Sequence, residues 1–134
     1  SLFVDKNSFH TKREIILKYA IEELIIKNHD KGNSNRTITT AISKCFNFID
    51  WCNNKKFDFV ENIESARNTF VLYTNFLRES IRLGRYSQGE AHTKHMASFK
   101  LLSSIFSDTK NIIGSGINII PNKRLNKVIA STKE

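Results

Sequence analysis

Helix breakers are scarce in this chain, and that constrains its fold more than any other feature. Its 134 residues include one proline and five glycines, and the proline, Pro121, lies close to the end. A mid-helix glycine costs about 1 kcal/mol relative to alanine and a proline about 3 kcal/mol, so the stretches without them are free to be helical. Apolar residues recur in those same stretches at three- and four-residue steps, the spacing that lines one face of a helix. The expectation is an all-α fold, a small bundle of four main helices.

The first segment runs from about Thr11 to Lys27, with Ser8 or Thr11 as its cap and Ile15, Ile16, Tyr19, Ile21, Leu24 and Ile25 on a broad apolar face. The polar tract from His29 to Asn35 ends it. The second segment has the cleanest stripe: Ile38, Ala41, Ile42, Cys45, Phe48, Ile49 and Cys52, flanked by Phe46 and Trp51 and ending near Asn53 and Asn54. The third starts at Asn62, a good cap, carries Ile63, Ala66, Phe70, Tyr73, Leu77 and Ile81, and stops at Gly84. Ser87 and Glu90 form a capping box for the fourth, in which His92, Met96, Phe99, Leu102, Ile105 and Phe106 repeat at helical spacing. Beyond Phe106 the period fails; Gly114, Gly116 and Pro121 mark a linker with a short strand-like piece at Ile117–Ile120.

The length fits one domain, read as an N-terminal helical arm over residues 1–30, a helical core over 31–107 and a linker over 108–134. A 40% hydrophobic content with ten Phe supplies a real core. The chain starts at Ser1 rather than Met, which fits either a piece of a longer protein or processing of the first residue. No run reaches the roughly 18 apolar residues of a membrane span, and no secretory signal is visible. Cys45 and Cys52 stand two helical turns apart, ~10 Å along the axis and too far to bridge; they read as reduced, buried residues of a cytoplasmic protein. His92 and His95 have the spacing of two metal ligands on one turn, but no third ligand accompanies them, so no metal or other cofactor is expected.

Charge is segregated. Residues 31–57 carry Lys31, Arg36, Lys44, Lys55 and Lys56 against the single acid Asp50. Residues 91–133 carry Lys94, Lys100, Lys110, Lys123, Arg124, Lys127 and Lys133 against Asp108 alone. These two segments account for the whole excess of the formal net charge of +8. Segregated positive charge suits a polyanion, because each neutralised phosphate releases counterions.

With the helices placed, a resemblance emerges. Ser34-x-x-Thr37 opening a helix, with Phe48-x-x-Trp51 near its end, resembles the first helix of the SAM-like core-binding domain of tyrosine recombinases, the phage-type integrases. Phe76-Leu77 and Ile81 before Gly84 resemble that domain's third helix; Tyr86-Ser87 leads into a fourth, where Met96, Phe99, Lys100 and Leu102 match its apolar and basic positions. Ile119-Ile120-Pro121 matches the exit toward the catalytic domain, and the likeness covers residues 34–121. The chain departs from the pattern at Ala91, where the family carries Thr, and in reversing the usual Asn-Pro as Pro121-Asn122; the first helix has no necessary counterpart.

The resemblance implies a module that clamps duplex DNA through its first-helix region and fourth helix. It would position a recombinase on its site beside other protomers, with strand cleavage left to a catalytic domain that this chain lacks. Arg36, Thr37, Lys44, Lys55 and Lys56 on the first basic segment, and Gln88, Thr93, Lys94, His95 and Lys100 on the second, are the candidate DNA contacts. Neither catalysis nor a small-molecule substrate is expected, since no nucleophile–base set, paired carboxylates or phosphate loop can be placed. Two rivals stand beside this reading: a free-standing DNA-binding regulator of helix-turn-helix type, and a protein-interaction module using the broad apolar face of the first helix.

Overall fold

The computed structural model describes residues 12–106, so the cap candidates Ser8 and Thr11, the linker over 108–134 and the strand-like piece at Ile117–Ile120 lie outside the described residues. Four helices make up the described chain: α1 (Lys12–Asp30), α2 (Asn35–Lys55), α3 (Ile63–Arg82) and α4 (Gln88–Ile105). No strand occurs among the described residues.

Local chemistry sets the ends. Ser34 accepts from the Thr37 amide, Asn62 from Ser65 and Ser87 from Glu90, each satisfying a first-turn N–H that has no partner within its helix. α1 continues three residues past Lys27 and closes at Gly32, whose φ of 79° is left-handed. Lys56 ends α2 in the same left-handed region, its amide bonded to the Asn53 carbonyl while Phe57 N reaches the Cys52 carbonyl. Gly84 takes φ 75° just past α3.

α4 is the central element, packed against α1, α2 and α3. Its buried residues are Ala91, Lys94, His95, Ala97, Ser98, Leu101 and Leu102. The expected stripe of His92, Met96, Phe99, Ile105 and Phe106 lies only partly buried around that set, and Leu102 alone of it is fully enclosed. The reason is steric. A helix enclosed by three others has no single apolar face, and small residues such as Ala97 and Ser98 allow neighbours to approach. α2 and α3 follow their stripes closely: Ile38, Cys45, Phe48, Ile49 and Cys52 are buried on one, Ala66, Phe70, Tyr73 and Leu77 on the other.

The α2–α3 connection is more than a charged link. Phe59 and Val60 are buried, and Phe59 sits 5.0 Å from the Phe48 ring. Phe48 and Trp51 in turn lie 4.8 and 5.0 Å from Tyr73. These aromatics fill the core.

The sequence leaves open whether residues 1–30 pack on the bundle; over the part described, α1 is a member of it. Leu17, Ala20, Ile21 and Leu24 join the common core. Ser104 Oγ donates to Glu23 Oε2 at 2.7 Å and lies 3.3 Å from the Ala20 carbonyl, while Arg13 Nη2 donates to Asn53 Oδ1 at 2.8 Å. The outward edge of its wide apolar face remains uncovered, with Ile15 43%, Tyr19 66% and Ile26 59% exposed.

Candidate nucleic-acid interface

α2 begins without the acid that the other three helices carry in their first turns, Glu14, Glu64 and Glu90. Arg36 occupies that turn instead. A cation there opposes the helix macrodipole at a cost of about 0.3–1 kcal/mol, and the same positive end attracts an external anion. No acid occurs from Asn35 to Ile49.

Packing brings part of this helix to α4. Arg36, Thr37, Thr40 and Ala41 line a shallow pocket with Thr93. The Thr40 hydroxyl donates to the Arg36 carbonyl at 2.9 Å and that of Thr93 to the Gly89 carbonyl at 2.9 Å, so both rims are held rigid by their own backbones. Thr37 Oγ1 lies 3.0 Å from the capping Ser34 Oγ. Cys45 Sγ donates to the Ala97 carbonyl at 3.6 Å where the helices meet. Both thiols are free and buried, and burial pushes each up to about 12.

Two candidate contacts are corrected. Lys94 is only 7% exposed; its Nζ donates to Asn47 Oδ1 at 2.7 Å and stands 5.0 Å from the centre of the Tyr86 ring. Burial and the neighbouring Lys44 ammonium lower its pKa. It ties α4 to α2 rather than standing ready for a phosphate. His95 is 1% exposed, stacked on Phe70 with ring centres 4.7 Å apart, and its Nε2 is 2.8 Å from Thr74 Oγ1. The Thr74 hydroxyl spends its proton on the Phe70 carbonyl, which assigns the Nε2–H tautomer to His95 as donor to that oxygen. Burial, helped by Arg78 and His92, lowers the His95 pKa to about 4, so the ring is neutral at pH 7. Among the described residues no cluster of three His, Cys, Asp or Glu accompanies the His92–His95 pair.

Lys55 and Lys56 are exposed but lie apart from the rest. Nineteen residues along α2 put Lys55 ~28 Å from Arg36, and Lys56 shares its surroundings with Asp58 and Glu61. Gln88 opens α4, half-buried.

Lys100 comes to a place not anticipated. With Lys27 and Lys31 it borders a groove of about 710 Å³ between α1 and α4, floored by Leu24 and Phe99. Lys27 bonds Glu23 at 2.8 Å. Lys31 belongs to the first basic segment, and the docking of α1 brings it to this groove. Among the described residues, ion pairs join Arg13 to Asp58, Lys27 to Glu23 and Arg82 to Glu79, and none involves Arg36, Lys31, Lys44 or Lys100.

Comparison with protein-family models, curated proteins and solved structures finds no match to this chain. Among the described residues no helix is long and apolar enough to cross a membrane. The site therefore rests on its own geometry.

Proposed function

We propose that the chain binds the backbone of duplex DNA through the face formed by the N-terminal half of α2 and the adjoining edge of α4. The observation that carries this is the α2 flank, which has no acid over fifteen residues and presents Arg36 and Lys44 outside the described ion pairs. Such a face costs folding free energy through the helix dipole and gains only when an anion approaches. The resemblance to the core-binding domain of tyrosine recombinases supplies the biological setting, with the module placing a parent recombinase on its site.

The test is anisotropy of a fluorescent duplex across a salt series. Phosphate binding gives a plot of log affinity against log salt that falls by about 0.9 per neutralised phosphate. Arg36→Ala/Lys44→Ala should make that slope shallower by about 2. Flat, negligible binding by the unsubstituted chain would sink the proposal. The second reading, a protein-docking face, would then lead, favoured by the exposed row of Ile15, Tyr19 and Ile26 on α1.

A further inference from the structure

The geometry points to the groove between α1 and α4 as a second phosphate track, in which Lys31 and Lys100 hold the opposite strand of the duplex. This rests on the duplex-binding reading and adds to it a helix, α1, that the recombinase-like pattern does not require. Thr93 and Lys100 occupy the same side of α4 two turns apart, ~10 Å along its axis. Thr93 marks the Arg36 edge, and Lys100 marks the α1 groove. Arg36 beside Thr93 and Lys31 beside Lys100 therefore stand at two places along one side of α4, an arrangement that lets each face a different backbone of the duplex.

The local chemistry agrees. Lys27 neutralises Glu23, whose second oxygen is taken by Ser104, so the one acid on the groove wall is already satisfied at short range. Lys31 sits in the α1–α2 turn opposite Lys100, and both are exposed. Leu24 and Phe99 beneath them give the aliphatic stems an apolar surface to lie on while the ammonium groups face solvent. The Lys31 position depends on α1 being docked, which Leu17, Ala20, Ile21 and Leu24 secure.

The experiment compares Lys31→Ala/Lys100→Ala with Lys18→Ala/Arg67→Ala, two variants of equal charge change at exposed positions, on duplex and on single-stranded DNA over the same salt range. The expected result is a duplex slope shallower by about 2 for the first pair, at about 0.9 for each phosphate no longer neutralised. A smaller change is expected on single strands, and no change for the second pair. An unchanged duplex slope for Lys31→Ala/Lys100→Ala would overturn the second track. So would an equal loss on single strands, or an equal loss in the control pair. Failure of the duplex-binding reading itself looks different, because the unsubstituted chain would then show no salt-dependent binding at all.

Discussion

Two sides of α4 carry similar residues and do opposite things. Thr93 and Lys100 face outward beside α2 and α1, while Lys94 and His95, next to Thr93 in sequence, point inward. Each residue step turns a helix by about 100°, so neighbours in sequence are strangers in space. The inward pair is fully employed: Lys94 by Asn47 and the Tyr86 ring, His95 by Thr74 and Phe70. The lesson is that a basic segment counted along the chain mixes side chains that hold the bundle together with side chains that face solvent.

The largest effect that would break this contrast concerns His95. Truncation to alanine removes a stacked ring and a buried hydrogen bond, and His95→Ala should destabilise the fold by about 3 kcal/mol. Urea unfolding followed by circular dichroism measures it; a loss within experimental error would place His95 on the outward side after all.

Acid supplies a matching test without mutation. The His95 pKa is near 4 folded against 6.5 as the ordinary value, so between those limits the unfolded chain takes up a proton that the folded chain refuses. This contribution to stability is intact above about pH 6.5 and is lost as pH falls toward 4. At about 1.4 kcal/mol per unit the total approaches about 3 kcal/mol. Urea midpoints at pH 7 and pH 4.5 should differ in that direction, and His95→Gln should flatten the difference. A midpoint that is unchanged by pH in the parent chain would contradict the buried neutral ring.

The smallest effect on stability sharpens the outward side. Arg36→Glu replaces a cation at a helix N-terminus with an acid, so the fold should gain about 0.3–1 kcal/mol while duplex affinity falls. Parallel thermal melts and anisotropy titrations read both changes. A variant that loses stability and binding together would mean that Arg36 supports the structure rather than a phosphate.

Much of the fold was legible from local pattern. The stripes of α2 and α3 and the caps Asn62 and Ser87 rest on periodicity and on short-range hydrogen bonds, which depend on neighbours in sequence. The buried face of α4 was not legible, because the space inside three helices accepts Ala91, Ala97 and Ser98 as readily as leucine. Phe59 and Val60 were missed for a related reason: a short connection between helices has no period from which to infer burial.

For the site, composition and spacing by themselves determined that this chain forms helices, where most of them start, and that its excess charge lies in two segments. Tertiary structure decided which cations face outward. It turned Lys94 inside, left Lys55 and Lys56 at the far end of α2 with Lys56 beside Asp58 and Glu61, and docked α1 so that Lys31 and Lys100 border one groove. The physical reason is that a charge's position along the chain is set by covalent geometry. Its exposure is set by what packs against its helix, and those partners come from residues far away in sequence.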